Sequence, residues 1–329
     1  MGDRGQSENL VLVARKPCFG LPTGCPSCLP VYIYLKFSGM PFEVCFDTSK
    51  PDSEDIPSVE YGDYVAFNSE KGGTIEGLKE DGILDMDSKL LSHSIPEWLA
   101  MKAMIDSWLA DALAYELWIG SGGSAVRQIY YSDLPWIIGK ALHWKQTQAA
   151  KQRLGITMSN TAEREAEIFR KATKAYEALS AKLGENNFFF EDRPTSLDAA
   201  MLGHTLFVLH ALSDSSTLRS QLTRHENLVR YSENLKVEFL EDSSTSVPRS
   251  PFEPSTSSMP SRKSAPYGTS KPKSKPKKEK TEEEKAFRRR AKYFLLTQLV
   301  AVLVFLTLMG GSEEADIEVD DDEGIDYED

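Results

Sequence analysis

Residues 194–204 have the sequence Pro-Thr-Ser-Leu-Asp-Ala-Ala-Met-Leu-Gly-His. Thr195 and Asp198 have the spacing of a helix cap, in which a carboxylate in the first turn accepts hydrogen bonds from the free amides of the helix start. The residues from Leu197 to Leu212 are almost all apolar. A helix that is apolar on every side is buried on every side, so we predict that it lies at the centre of a helical domain.

The chain from about residue 91 to residue 240 has the periodicity of further helices. Apolar residues recur at spacings of three and four, which places them on one helix face. Asn160, with Glu163 three residues later, predicts a helix cap, and a last helix is predicted over roughly residues 226–240. The predicted apolar faces consist of Trp98, Met101, Ile105, Trp108, Ala112, Tyr115 and Ile119; of Ala166, Phe169, Tyr176, Leu179 and Leu183; and of Leu228, Leu235 and Phe239.

The chain before about residue 90 has short elements of both kinds. Residues 10–14, Leu-Val-Leu-Val-Ala, predict a buried strand, and residues 29–38 predict a helix that ends at Gly39. Residues 42–46 and 64–67 predict a second and a third strand. A strand–helix–strand unit followed by another strand indicates an α/β domain of the thioredoxin kind.

A long apolar run lies near the C-terminus, at residues 294–309 (FLLTQLVAVLVFLTLM). Residues 293–311 make about 28 Å of helix at about 1.5 Å per residue, which matches the roughly 30 Å hydrocarbon layer of a bilayer. An arginine cluster precedes the run, and eleven of the eighteen residues at 312–329 are Asp or Glu. We therefore predict one C-terminal transmembrane helix, rather than a buried core helix, followed by an acidic tail.

The charges around this run predict its orientation. Lys and Arg stay on the cytosolic side of a membrane, so the large N-terminal part is expected in the cytosol and the acidic tail across the membrane. The N-terminal residues have neither the apolar core of a secretory signal nor the Arg-rich amphipathic pattern of a transit peptide, so neither is expected. Together these features are typical of a tail-anchored protein.

Residues 241–292 are rich in Ser, Pro, Thr and Lys and predict a disordered linker, because they cannot bury enough apolar surface to fold. Residues 262–292 carry a net charge of +9, which favours contact with anionic lipid headgroups over a nuclear signal or a nucleic-acid site. The whole chain carries −12 and the acidic tail −11, which leaves −10 for the remainder. This mild acidity argues against nucleic acid as a partner of the globular part.

The predicted fold is of the α+β class and has five segments. They are a thioredoxin-like N-terminal domain at residues 1–90, an all-helical domain at 91–240, the linker at 241–292, the transmembrane helix at 293–311 and the acidic tail at 312–329.

A small α/β unit followed by a helical domain with a Thr-x-x-Asp cap resembles the glutathione transferase architecture. More specifically, the chain resembles the metaxins, outer-mitochondrial-membrane proteins of that architecture, and the anchor after a Ser- and Lys-rich linker resembles their plant branch. The segments that carry the resemblance are Pro194 to His204, Leu222 to Leu235 with Asn-Leu-Val-Arg-Tyr at 227–231, Cys28-Leu29 before Tyr32 and Leu35, and residues 85–91, Asp-Met-Asp-Ser-Lys-Leu-Leu.

The resemblance implies a role in mitochondrial protein import and in the sorting and assembly of outer-membrane β-barrel proteins. The implied partners are mitochondrial precursor proteins and subunits of the β-barrel assembly machinery, with pairing to a related subunit among the arrangements that it allows. We therefore expect a non-enzymatic protein that is anchored in the mitochondrial outer membrane by one span. Its folded part up to residue 240, which we call the head, would lie in the cytosol, and the acidic tail would lie in the intermembrane space.

Cys25-Pro-Ser-Cys28 is the motif that suggests chemistry, because it lies where thioredoxin-like proteins keep a redox pair. Zinc binding, with Cys18 and Cys45 completing four ligands, is a second interpretation. The third, which we favour, is that these are ordinary reduced thiols, one or two of them packed in the core.

The alternative function is a membrane-tethered glutathione-dependent transferase or thiol oxidoreductase. A transferase grips glutathione with a cis-proline before its third strand, but residues 61–67 contain no proline, and Asp87-Ser88 lies too far along the chain to supply the acidic-Ser pair. His204 is expected to be a core histidine, and the five tryptophans are expected in the core or in a groove. We assign no catalytic, cofactor-binding or metal-ligating residue from the sequence.

Overall fold

The computed structural model of this 329-residue chain describes residues 10–47, 53–120, 123–190 and 192–241, together with Gln298. The linker, transmembrane helix and acidic tail predicted from residue 241 onward lie outside these residues, apart from Glu241 and Gln298. Within the described ranges, no helix combines the length and the hydrophobicity that crossing a bilayer requires.

A four-stranded sheet forms the N-terminal part of the fold. Its strands lie in the order β2-β1-β3-β4, with β1 parallel to β2 and antiparallel to β3, and with β3 antiparallel to β4. The prediction of β1, β2 and β4 is confirmed, whereas β3 was missed, although it is as long as β4. The strands are β1 Leu10–Ala14, β2 Phe42–Phe46, β3 Ser58–Tyr61 and β4 Tyr64–Phe67.

Helix α1, Cys28–Ser38, connects the parallel strands β1 and β2 and begins one residue before its predicted start. It ends at Gly39, whose φ of 70° is the left-handed conformation in which glycine commonly terminates helices. Helix α2, Gly73–Glu80, follows β4. Sheet and helices thus form the predicted α/β arrangement.

The remaining helices and helical turns of the described chain follow α2. In the first long segment, two α-helices alternate with π-helical turns. The three-and-four periodicity of the apolar face predicts a regular α-helix and does not reveal these turns. The segments are α3 Ile95–Ala103, a π-helical turn Met104–Leu109, α4 Ala110–Tyr115, a π-helical turn Glu116–Gly120, α5 Ser124–Val126, a π-helical turn Arg127–Tyr131, α6 Trp136–Leu154, α7 Thr161–Leu183, α8 Ser196–Ala211, α9 Thr217–Leu222, α10 Glu226–Lys236 and a π-helical turn Val237–Glu241.

Helix α8 begins with the predicted cap. The carboxylate of Asp198 accepts hydrogen bonds from the amide (2.9 Å) and hydroxyl (2.8 Å) of Thr195, from the Phe189 amide (3.0 Å) and from the Tyr231 hydroxyl (3.1 Å). Burial raises the pKa of this carboxyl group to about 6, against the opposing effect of its hydrogen bonds. The cap therefore also connects α8 to α10.

The rest of α8 is buried as predicted, from Ser196 to Val208 apart from Ala200, and its neighbours include α1, α10 and α3. The residue on α8 that faces α1 is Gly203, where a β-carbon would stand 2.7 Å from Pro30 Cγ. The lack of a side chain therefore allows α1 to pack closely on the central helix.

Two details of α7 differ from the prediction. Asn160 stands at the start of the helix, but its side chain makes no cap hydrogen bond there. Instead its oxygen accepts from the Thr157 amide at 2.8 Å and its amide donates to the Gly155 carbonyl at 3.1 Å. Ala166, which was assigned to the apolar face, is exposed, and Ile168 is buried in its place.

The segment between the sheet and the long helices is held at several points. Asp87 accepts hydrogen bonds from the amide (2.9 Å) and hydroxyl (2.6 Å) of Ser196 and forms an ion pair with Lys79 at 3.2 Å. Arg193 donates to the Met86 carbonyl at 2.7 Å. The start of α8 is therefore tied directly to the end of the α/β part.

Candidate functional site

A cleft of about 480 Å³ opens between the sheet and the helices that follow it. It contains Cys25 of the Cys25-Pro-Ser-Cys28 motif and is therefore the candidate functional site. Its lining includes Arg15, Cys25, Ile56, Asn68, Trp118 and Tyr130.

The two cysteines of the motif lie on one helical turn. The Leu29 amide donates a hydrogen bond to the Cys25 carbonyl at 3.1 Å, so the turn before α1 already has helical geometry. Cys25 is 3% exposed and Cys28 is fully buried, and both are free thiols. Cys25 therefore lies at the boundary between the core and the cleft, and Cys28 lies close to it in the core.

The two thiols differ in acidity. The pKa of Cys25 lies below its ordinary value, chiefly because of a hydrogen bond with Cys28 and also because of the Tyr130 hydroxyl and the amides of Cys28 and Ser27, which together outweigh burial. Burial, followed by the neighbouring Cys25, raises the pKa of the Cys28 thiol well above its ordinary value. Cys25 is therefore the thiol of the pair that ionises first.

Tyr130 and Arg15 complete the polar surroundings of Cys25. The Tyr130 hydroxyl lies 3.6 Å from Cys25 Sγ, and burial raises the pKa of this hydroxyl, which keeps it protonated. The Arg15 guanidinium lies 5.6 Å from the centre of the Tyr130 ring and donates to the Ser53 carbonyl at 3.3 Å. Sequence reasoning missed both residues, since Tyr130 lies 105 positions from Cys25 and no local pattern connects them.

The proline argument against a transferase was wrong. The third strand in chain order is β3, not residues 64–67, and the Ile56–Pro57 peptide immediately before it is cis. Ile56 also lines the cleft. The prediction found no proline before the third strand because it did not identify β3 and considered residues 61–67 instead.

The four cysteines do not form a zinc site. Cys18 lies near the Gln128 carbonyl, at 3.9 Å, while Cys45 is exposed on β2. Among the described residues, which include all four cysteines, no three His, Cys, Asp or Glu side chains are placed to hold a metal ion. The structure contradicts the zinc interpretation.

His204 is the core histidine that was predicted. Its Nε2 atom lies 2.7 Å from the Tyr176 hydroxyl, and only 6% of the residue is exposed. Burial lowers the pKa of its imidazole to about 3, so the ring is neutral in the folded protein at ordinary pH.

Trp144 is an exposed exception to the prediction that all five tryptophans are in the core or in a groove, whereas Trp136 lines a cavity of about 470 Å³. Trp136 and Trp144 of α6 are each 65% exposed, and Ile137 is 64% exposed. Spacings of one, four and eight residues place Trp136, Ile137, Lys140 and Trp144 on one helix face. We call these four residues the α6 surface. Helix α6 has four basic and no acidic residues, and one of the basic residues, Lys140, lies within this surface.

Comparison with known proteins connects this arrangement to a family. A model described as the glutathione S-transferase N-terminal domain matches residues 26–123, and one described as the glutathione S-transferase C-terminal domain matches residues 172–235. A protein of Arabidopsis thaliana called mitochondrial outer membrane import complex protein METAXIN is 54% identical over 322 residues, which cover 98% of this chain and 99% of that protein.

The chain belongs to the metaxin family.

Animal metaxins are more distant. Metaxin-3 of Danio rerio is 26% identical over 68% of this chain and 75% of its own length, and Metaxin-1 of Mus musculus is 26% identical over 74% and 80%. This metaxin family member therefore has a glutathione-transferase-like fold, with a thioredoxin-like α/β domain followed by a helical domain. The resemblance predicted from residues 85–91 and 194–204 is confirmed at the level of the family.

Proposed function

We propose that this protein acts in protein import at the mitochondrial outer membrane and in the sorting and assembly of β-barrel proteins there. The observation that carries the proposal is the 54% identity, over almost the full length of both chains, to an Arabidopsis protein whose name places it in the outer-membrane import complex. We further propose that the protein works by binding precursors or partner subunits and not by catalysis.

The membrane attachment is part of this proposal. Residues 293–311 would form the one transmembrane helix, the folded head would lie in the cytosol, and residues 312–329 would lie in the intermembrane space. The basic cluster before the apolar run and the acidic residues after it support this orientation. Attachment of the head to the membrane would raise its local concentration at the site of import.

The α6 surface is the part of the head that we propose for contact with a partner subunit. Tryptophan is enriched at the centres of protein interfaces, where it contributes a large apolar area. A partner with an apolar patch and an acidic residue beside it would match Trp136, Trp144 and Lys140.

Organelle fractionation tests the proposal directly. The full-length chain should copurify with mitochondria, remain in the membrane pellet after alkaline carbonate treatment, and lose its head to external protease while the outer membrane is intact. A chain that ends at residue 292 is the matched control and should be released by carbonate. Location of the full-length chain in another organelle, or its release by carbonate, would contradict the proposal.

Crosslinking in intact mitochondria tests the function rather than the location. Crosslinks from the head to precursors or to β-barrel assembly subunits, together with slower insertion of newly made β-barrel proteins after depletion, are expected. Normal import and β-barrel insertion in mitochondria that lack the protein would contradict the role even if the location is correct.

A further inference from the structure

We propose that Cys25 and Cys28 form a reactive dithiol that exchanges with a low-molecular-weight disulfide entering the cleft. This chemistry is independent of the import role proposed above. It consumes one disulfide per chain and leaves a Cys25–Cys28 disulfide that a thiol reductant can reverse.

Local geometry permits the bond. The hydrogen bond from the Leu29 amide to the Cys25 carbonyl fixes one helical turn. Two residues three positions apart on such a turn have α-carbons about 5 Å apart, which is inside the range that a disulfide requires. The backbone of this turn is therefore compatible with a disulfide between the two cysteines.

The surroundings of the two thiols assign different roles to them. Cys25 lines the cleft, so a small disulfide that enters the cleft meets this sulfur. The Tyr130 hydroxyl, 3.6 Å away, is placed to donate a hydrogen bond to a Cys25 thiolate. Cys28 is fully buried beside it and is therefore reached by the sulfur of Cys25 more readily than by a reagent from solvent.

The reaction is two successive thiol–disulfide exchanges. The Cys25 thiolate attacks one sulfur of the disulfide RS–SR, the S–S bond breaks, and one RS⁻ leaves and takes up a proton. Cys28 then loses its proton and attacks Cys25 Sγ, and the second RS⁻ leaves and is protonated. The protein dithiol is oxidised by two electrons, and RS–SR is reduced to two RSH.

The test uses hydroxyethyl disulfide as the probe and the full-length chain in detergent. Cys18→Ser and Cys45→Ser are present in every variant, so that the only thiols are those of the pair. Mass spectrometry after acid quenching should find an internal disulfide with no retained adduct in this background. In the further variant Cys28→Ser, an adduct should accumulate on Cys25, about tenfold faster than on Cys28 in the matched variant Cys25→Ser.

Two controls separate chemistry from folding. In concentrated urea, the Cys28→Ser and Cys25→Ser variants should form their adducts at equal rates. Thermal unfolding should show that each variant is folded under the reaction conditions. In the Cys28→Ser variant, Tyr130→Phe should slow formation of the Cys25 adduct and move its pH midpoint upward. Folded Cys28→Ser that gains no adduct, or that reacts no faster than Cys25→Ser, overturns the proposal. If Tyr130→Phe leaves the pH midpoint unchanged, the Tyr130 hydroxyl does not stabilise the Cys25 thiolate.

Discussion

Gly203 of α8 lies against Pro30 of α1, and a β-carbon at Gly203 would stand 2.7 Å from Pro30 Cγ and 2.9 Å from the Pro30 nitrogen. Both neighbours belong to a helix that packs on α8 and cannot rotate away as a flexible side chain can. The contact therefore sets how closely the α/β part and the central helix approach each other.

Gly203→Ala should lower the free energy of unfolding by about 1–3 kcal/mol, because the added methyl group forces the two helices apart. Urea unfolding of the full-length chain in detergent measures this. In the Pro30→Ala background the loss should be smaller but not absent, since the backbone nitrogen of residue 30 remains. An equal loss in both backgrounds would show that the proline ring is not the obstacle.

Asp87→Ala should destabilise the fold by about 2–4 kcal/mol, because the amide and hydroxyl of Ser196 lose their acceptor and Lys79 loses an ion-pair partner. The same unfolding measurement applies. Asp85→Ala is a control on the same segment, where the carboxylate accepts exposed hydrogen bonds from the amides of Asp87 and Ser88, and it should cost less. Equal costs would contradict a special role for the bonds from Asp87 to Ser196.

His204 should make stability depend on pH. Burial lowers the pKa of the folded imidazole to about 3, whereas an unfolded histidine titrates near about 6.5, so below that pH the unfolded chain takes up a proton that the folded chain rejects. Stability is therefore fully present at neutral pH and should fall by about 1.4 kcal/mol per pH unit between about 6.5 and 3.

The variant His204→Gln should remove this slope and keep a hydrogen-bonding group beside Tyr176. Unfolding at a series of pH values measures it, with exposed His93→Gln as the matched control that retains the slope. The raised pKa of Asp198 acts in the opposite direction over the acidic range, so the difference between variant and wild type isolates His204. If the unfolding free energies of the wild type and of His204→Gln depend on pH in the same way, the prediction is wrong.

Removal of the α6 surface should weaken association without weakening the fold. Trp136→Ser combined with Trp144→Ser removes two side chains that are each 65% exposed, so the unfolding free energy should change by less than about 0.5 kcal/mol for each. Recovery of crosslinked partner subunits from mitochondria should fall about tenfold. Leu99→Ser, at a 54% exposed position on α3, is the control and should leave recovery unchanged.

The sequence predicted the elements whose patterns are local. The Thr195–Asp198 cap and the apolar run behind it identified α8, and alternation or apolar runs identified β1, β2 and β4. Strand β3 has the same length as β4, but it begins with Ser58, a polar residue that is buried and gives no apolar signal. Because the prediction omitted β3, it counted residues 64–67 as the third strand and overlooked Pro57 before β3.

The candidate site was predictable only in part, because it is made by contacts distant along the chain. The Cys25–Cys28 motif marked its position, but Tyr130 and Arg15 carry no local sign of a partnership with it. Glu116 is a residue elsewhere in the fold whose partners are also distant along the chain. It is buried and accepts hydrogen bonds from the Ser216 hydroxyl at 2.9 Å and the Leu218 amide at 3.1 Å. A glutamate in the middle of a helix gives no indication that it caps α9.

The edge-to-face contact of Phe239 with Phe37, at 4.8 Å between ring centres, holds the last described turn against α1. Because α1 holds the final described turn in this way, residues inserted after Glu241 should leave this contact unchanged. In the membrane-anchored arrangement proposed above, a series of spacers inserted there would vary the distance between the head and the membrane while the packing of the described residues stays constant.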